Sequence, residues 1–147
     1  MSPSLRFLLV LAGLVVVVAG GFHLSHSRFQ PAQAAVDLSR SKPTVKGVYL
    51  VTIEPEMSAV PQGELHAWVL TLKAADGSPV DAATIAIDGG MPEHHHGLPT
   101  SPQVTESLGQ GRYRVDGVRF NMTGRWELRF SIDAPPGRDE VAFNVVL

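Results

Sequence analysis

Cysteine is absent from this chain of 147 residues. Its absence excludes a disulfide framework, a thiolate metal site, an iron–sulfur cluster and a cysteine nucleophile. Any soft metal site must therefore use the thioethers of the four methionines and the imidazoles of the six histidines.

Concentrated charge is also lacking. Lys and Arg number 12 against 14 Asp and Glu, which gives a net charge of −2. Binding of nucleic acid normally needs a concentrated basic patch, so we expect no nucleic-acid partner. Hydrophobic residues make up 44% of the chain, which is enough to bury the core of one domain.

Catalytic signatures are missing as well. The sequence contains no GxSxG, HExxH, P-loop or GxGxxG motif, and no Ser-His-Asp arrangement can be singled out. We therefore expect that the protein is not an enzyme and has no catalytic residues.

The one long apolar run covers residues 7–22 and follows Arg6. As a helix it would span roughly 24 Å, against the ~30 Å of a hydrocarbon core. Its length is also near the upper limit for the apolar part of a signal peptide. We favour an uncleaved transmembrane anchor over residues 1–22. The alternative is a signal helix cleaved after Ala19 or near Ala34.

The position of Arg6 before the apolar run places the amino terminus of such an anchor in the cytoplasm. We therefore expect a single-pass protein of the inner (cytoplasmic) membrane with its domain in the periplasm. Cleavage would instead give a soluble periplasmic protein. Residues 23–43 are mixed and polar, and we interpret them as a linker. Residues 44–147 then form the folded domain.

Short alternating runs separated by turn residues predict that this domain is all-β. They cover residues 48–53, 64–72, 79–87, 112–120, 125–132 and 141–147. One-sided alternation is typical of antiparallel sheets with one wet face. Six or seven such strands in ~100 residues fit an immunoglobulin-like β-sandwich, with a small Greek-key barrel as the alternative.

The same alternation predicts which side chains form the interior. We expect Trp68, Leu70, Tyr113, Trp126, Leu128, Phe130 and Phe143 to point inward. The phase changes at Asp116-Gly117, which predicts a β-bulge. Residues 108–113 also resemble a tyrosine corner, with Tyr113 entering the next strand.

The segment from Gly89 to Pro99 is where chemistry is most strongly indicated. It follows a predicted strand, is rich in Gly and Pro, and holds three of the six histidines. His94 and His96 point the same way if the segment is extended, because side chains alternate along a strand. They form the better metal-binding pair, and His95 is turned away.

Two methionines accompany these histidines. Met91 lies beside them, and Met122 lies in the turn 121–124, which meets the loop if both are at one end of a sandwich. Thioethers favour Cu(I), so the composition suits a copper ion better than zinc. The alternatives are a solvated histidine loop and methionines that only cap the core. His66 shares an apolar strand face, as a hydrogen-bonded core residue or an extra ligand.

Two segments, MPEHHHGLPTSPQV at 91–104 and LGQGRYRVDGVRFNMTGRWELRF at 108–130, resemble the YtkA-like family. The resemblance covers about residues 45–147. It implies an extracytoplasmic immunoglobulin-like domain behind one transmembrane segment, and it implies metal ligation by Met91, His94, His96 and Met122. The sequence departs from the family at His95, where members often have Gly or another small residue. The family is related to FixH-type proteins, which are linked to cation transport and to the assembly of haem-copper oxidases.

Together these features predict a membrane-anchored, extracytoplasmic copper-binding domain that carries or buffers copper for an acceptor protein, such as a respiratory oxidase. The predicted metal ligands are Met91, His94, His96 and Met122, with His95 and His66 as further candidates. One alternative is a metal-free interaction or assembly subunit of a membrane complex. Another is a sandwich module that binds a small organic ligand in an apolar pocket.

An uncleaved anchor predicts that the protein isolated from membranes keeps its original amino terminus. Intact-mass spectrometry measures this directly. A mature amino terminus near Gly20 or Ala35 would contradict the anchor and would show a periplasmic protein released by cleavage.

Overall fold

The computed structural model describes residues 35–147. The predicted anchor, residues 1–22, and residues 23–34 of the predicted linker lie outside the described residues. Within residues 35–147, no helix is long and apolar enough to cross a membrane.

Nine β-strands and one 3₁₀ turn make up the regular structure of the described residues. They are β1 Ser41–Pro43, β2 Tyr49–Pro55, β3 His66–Ala74, β4 Thr84–Met91, the 3₁₀ turn Pro92–His94, β5 His96–Gly97, β6 Gln103–Gly109, β7 Arg112–Val118, β8 Arg125–Ala134 and β9 Gly137–Val146. One antiparallel sheet has the order β1-β2-β3-β7-β6 and the other β5-β4-β8-β9. The all-β prediction is confirmed, and the described strands form two sheets rather than one closed barrel.

The core lies between these two sheets and follows the alternation read from the sequence. In β8, Trp126, Leu128 and Phe130 are buried, while the residues between them are more exposed. All seven side chains predicted to point inward are buried. Burying a Leu- or Phe-sized side chain contributes about 1.5–3 kcal/mol, so this alternation is what holds the sheets face to face.

The predicted bulge in β7 is confirmed. His66 pairs with Val118 and Trp68 with Val115, so two residues of β7 lie opposite one residue of β3. Gly117, one of the two, has a φ of 84°, a conformation that glycine adopts without strain. The extra residue turns Val118 inward and carries the chain toward the buried Phe120.

Three strands were not predicted. The side chains of β6 are mostly exposed, so this edge strand has no apolar alternation. Strands β1 and β5 have only three and two residues. Because β1 lies within the segment predicted as a linker, the described β-structure begins before residue 44.

The resemblance to a tyrosine corner does not extend to the hydrogen-bond partner of Tyr113. The hydroxyl of Tyr113 donates a hydrogen bond of 2.5 Å to the carbonyl of Val80, 33 residues upstream, rather than to its own turn. Tyr113 therefore ties β7 to the segment that precedes β4. That segment is not paired as a strand until Thr84, which explains why β4 begins later than the predicted residue 79.

One end of the sandwich collects the loops that carry the candidate metal ligands, and we call it the loop end. The segments 56–65, 91–102 and 119–124 meet there. Gln62 forms a bridge to Phe120, and Gly124 exchanges backbone hydrogen bonds with Leu147.

Asp139 fixes the opposite end. Its buried carboxylate accepts hydrogen bonds from the backbone N–H groups of Lys46 at 3.1 Å, Val48 at 3.2 Å and Glu140 at 2.9 Å. Burial by itself would raise the pKa of Asp139. The hydrogen bonds from Thr44 and from these backbone groups outweigh burial and lower the pKa from 3.8 to about 2.

The depressed pKa predicts acid-sensitive stability. Because the folded pKa of about 2 lies below the ordinary 3.8, the carboxylate stabilises the fold above that ordinary value and loses this effect as the pH falls through the folded pKa. Asp139→Asn should destabilise the domain by about 1–3 kcal/mol at neutral pH, since a buried acceptor is lost. It should also flatten the pH dependence of unfolding in this acid range, measured by denaturant titration.

The exposed Asp133, which pairs with Arg138 on the same hairpin, provides the control. Asp133→Asn should change the free energy of unfolding little. Equal effects of the two substitutions would contradict the role of Asp139.

Candidate metal site at the loop end

A tight hairpin carries the three histidines. Met91, the last residue of β4, pairs with His96 in β5, and the chain between them forms the 3₁₀ turn. Pro92 opens the turn, where its fixed φ is already suitable. His95 closes it with a φ of 55°, in the left-handed region, and so reverses the chain.

The rings of His94 and His96 lie together, with centroids 6.0 Å apart and planes at 37°. Metal–nitrogen bonds are about 2 Å long, so two imidazoles on one ion have centroids roughly 5–6 Å apart at wide angles. The predicted pairing of these two side chains is thus found. We expected an extended segment to bring the two rings to one side. Instead, the 3₁₀ turn and the left-handed His95 bring them together.

His96 is oriented by two neighbours. Its ring meets the indole of Trp126 edge-on at a centroid distance of 5.7 Å. Its Nδ1 lies 3.0 Å from the carbonyl of Gly97, and because a carbonyl only accepts, Nδ1 carries the proton and donates it. The lone pair is then on Nε2, the tautomer that a metal-binding imidazole needs when its other nitrogen is hydrogen-bonded.

His95 lies next to this pair without joining its ring contact. It lines one cleft together with His96 and Met91, and with Glu127 and Arg129 on β8. Its left-handed conformation is the one that glycine adopts most easily, which fits the small residue expected there from the family resemblance. The ring contact within the described hairpin joins His94 and His96, and His95 remains a further candidate ligand.

Met91 is a core residue as well as a neighbour of the histidines. Its side chain is 1% exposed and belongs to the hydrophobic core. A Cβ placed on Gly124 would lie 2.8 Å from Cε of Met91, so the thioether reaches the turn 121–124. The expected meeting of the two loops is therefore found, with Met91 beneath the surface.

Met122 lies on that turn and is 38% exposed. Its carbonyl accepts a hydrogen bond of 3.0 Å from Nε1 of Trp126. Trp126 thus contacts both the histidine pair, through His96, and the backbone of the methionine turn.

His66 is a core residue and not a member of the histidine pair. It is 6% exposed, and its ring contacts Phe120 at 5.3 Å and Trp68 at 6.3 Å. Its Nδ1 donates to the carbonyl of Glu64 at 3.1 Å. The aromatic contacts run from His66 through Phe120 and Trp126 to His96, so His66 reaches His96 only through two intervening rings.

Arg125 is a neighbour of the candidate site that the sequence did not indicate. Its guanidinium contacts Glu93 of the 3₁₀ turn at 3.0 Å and the side-chain oxygen of Asn144 at 3.2 Å. The pair with the exposed Glu93 contributes only about 0–1 kcal/mol. Its effect is to hold the turn against the start of β8.

Two adjacent glycines seat the hairpin on the sheet. A Cβ on Gly90 would lie 2.2 Å from the carbonyl oxygen of His96, and one on Gly89 would lie 2.1 Å from that of Glu127. Neither position tolerates a side chain unless the backbone moves. The Gly-Gly pair before Met91 was the sequence signal for this close approach.

A metal ion at this end would need thioether ligands as well as imidazoles. Among residues 35–147, no three side chains of the types His, Cys, Asp and Glu are grouped closely enough to hold a metal ion. The histidine pair has two imidazoles, and Met91 and Met122 lie on the neighbouring segments. Thioethers favour Cu(I), whereas zinc prefers nitrogen, oxygen and thiolate ligands.

The fold and the loop end define an all-β domain of two antiparallel sheets with a methionine- and histidine-bearing hairpin at one end. The model of the YtkA-like family matches residues 44–131, and the chain belongs to this family. No curated protein matches the chain significantly. A solved structure, the ZirS C-terminal domain, is similar over 84% of this chain and 80% of its own, with 19% identity and a TM-score of 0.42.

Gly90→Ala should displace the histidine hairpin. The added methyl group clashes with the backbone of His96, so β5 must move away from β4 at a cost of about 1–3 kcal/mol. NMR of the His96 ring and the Trp126 indole N–H should report the movement.

Gly97→Ala is the matched control, because the nearest atom to its added Cβ lies at an ordinary 3.6 Å. It should leave both resonances close to their original positions. Unchanged His96 signals in Gly90→Ala would show that the glycine does not seat the hairpin.

Proposed function

We propose that this protein binds copper at the loop end and carries or buffers it for an acceptor protein. The observation that supports the proposal is the closeness of the His94 and His96 rings on one exposed hairpin, which Met91 and Trp126 connect to the turn that carries Met122. His94, His96 and Met122 would form the accessible part of the ligand set. Met91 would add its thioether from beneath.

The proposed mechanism is ligand exchange at the surface. Three of the four ligands are exposed, so an acceptor could replace them one at a time without unfolding the domain. The core would keep the fold intact without metal, because the buried side chains from both sheets pack against one another. We do not propose an enzymatic activity or a catalytic residue.

The setting of this function is also a proposal. We infer an immunoglobulin-like sandwich held at the inner membrane by residues 1–22, with the domain in the periplasm. Membership of the YtkA-like family supports the extracytoplasmic, membrane-tethered arrangement that the resemblance implies. An acceptor such as a respiratory oxidase is proposed by analogy with FixH-type proteins. A soluble periplasmic carrier is the alternative if the segment is cleaved.

Cu(I) titration against a competing chelator tests the proposal. His94→Ala/His96→Ala and Met122→Leu should each weaken Cu(I) binding by roughly tenfold or more, about 1.4 kcal/mol. Met91→Leu should also weaken it, and zinc should bind more weakly than Cu(I) to the parent. Protons compete for imidazole, so affinity should fall in acid and leave a residual part that depends on methionine.

His95→Ala and Met57→Leu are the controls, since the ring of His95 is not part of the His94–His96 contact and the exposed Met57 lies outside the hairpin and the turn. Both should bind Cu(I) as the parent does. Parent-like binding by the double histidine variant and by Met122→Leu would overturn the site. The metal-free interaction subunit would then be the better interpretation.

A further inference from the structure

Exposed apolar side chains are concentrated at the loop end. Nine large apolar side chains are exposed in the described residues, and six of them lie in the loop end or next to it. Met57, Leu65 and Met122 belong to its segments, and Val36, Leu38 and Val146 lie on chain segments beside it. The other three lie toward the opposite end or on the side of a sheet: Val45, Leu50 and Leu108. This asymmetry needs an explanation, since scattered single residues would be distributed over both ends.

The first residues of the described chain are fixed to the loop end. The carbonyl of Asp37, between Val36 and Leu38, accepts a hydrogen bond of 3.0 Å from the side chain of Asn144. The side-chain oxygen of Asn144 in turn contacts Arg125 at the start of β8. Val146 is the strand partner of Arg125, so the segments that carry Val36, Leu38 and Val146 approach one another here.

The segment 56–65 supplies the other side of this surface. Gly63 donates a backbone hydrogen bond of 2.8 Å to Phe120, which precedes the turn that carries Met122. Met57 and Leu65 line one cleft, and Leu65 is 66% exposed. Met57 and Leu65 therefore lie at the loop end beside the start of β3 and the end of β7.

Some of the charges around this surface are paired. Lys42 contacts Asp37 at 2.8 Å, and Arg125 contacts Glu93 at 3.0 Å. Paired charges are less costly to bring near a medium of low dielectric constant than isolated ones. Glu64 and Arg119 are exposed and form no ion pair within the described residues, so they would have to stay in contact with water or with lipid headgroups.

In the sequence, a strongly apolar run precedes the described residues. Residues 7–22 carry no charge, and only residues 23–34 separate them from the first described residue. Twelve extended residues span at most about 43 Å. Because Asp37 is attached to Asn144 near the loop end, the chain enters the described domain close to that end.

We propose that the loop end docks on a lipid bilayer, with these six side chains in the headgroup region. The proposal rests on the membrane-tethered part of the proposed function and not on copper binding. Apolar side chains on one face of a folded element bind such an interface in proportion to the area they bury. Docking would direct the histidine hairpin toward an acceptor in the membrane.

The absence of cysteine makes the test simple, because one introduced cysteine can be labelled alone. The full chain is placed in phosphatidylcholine vesicles, with an environment-sensitive fluorophore at Leu65→Cys or Val146→Cys. Val45→Cys and Leu108→Cys are matched controls, exposed apolar positions toward the other end. Lipids with a spin label on the acyl chain should quench the first pair several-fold more than the second.

Met57→Ser/Leu65→Ser should remove the quenching at Val146→Cys while Cu(I) binding stays unchanged. If the chain floats with the vesicles and quenching is equal at the loop end and at the opposite end of the sandwich, docking is overturned. The membrane tether and the copper site are not affected by that result. A quenching difference in a protein that binds no Cu(I) would support docking and overturn only the copper site. A chain that does not float with the vesicles would overturn both the tether and the docking.

Discussion

The burial of Trp126 is the interaction on which the core and the candidate site both depend. Its indole packs against Phe120 at a centroid distance of 5.2 Å inside the sandwich. The same ring meets His96, and its N–H holds the carbonyl of Met122. Truncating a buried Trp to Ala typically costs about 3–5 kcal/mol, so few changes at this position would spare the fold. The placement of the histidine hairpin is thus coupled to the packing of the core.

Much of the fold could be predicted because one face of most strands is buried. Alternation in β8 and β9 predicts which side chains point inward, and the glycine at the phase change in β7 predicts the bulge. Strand β6 could not be predicted, since an exposed edge strand has no apolar pattern to read. The partner of Tyr113 could not be predicted either, because Val80 is distant in sequence and is reached only through the packing of β7 on the segment before β4.

The candidate site was predictable in its residues and less so in its geometry. The composition of the loop indicated His94, His96 and the two methionines, and loop clustering at one end of a sandwich indicated Met122. The left-handed conformation of His95 and the burial of Met91 depend on the hairpin and the core, which local sequence does not specify. The proposed ligands are soft donors, and three of the four are exposed. Exposed ligands would suit a metal that must be given up again better than one held permanently.

The most direct test of this account is NMR of the methionine methyl groups during addition of Cu(I). Met57, Met91 and Met122 give separate probes, and Met57 is an exposed internal control outside the hairpin and the turn. The account predicts that one equivalent of Cu(I) shifts the methyl resonances of Met91 and Met122 together and leaves that of Met57 in place. Shifts confined to Met57, or no shift at all, would contradict a copper site at the loop end.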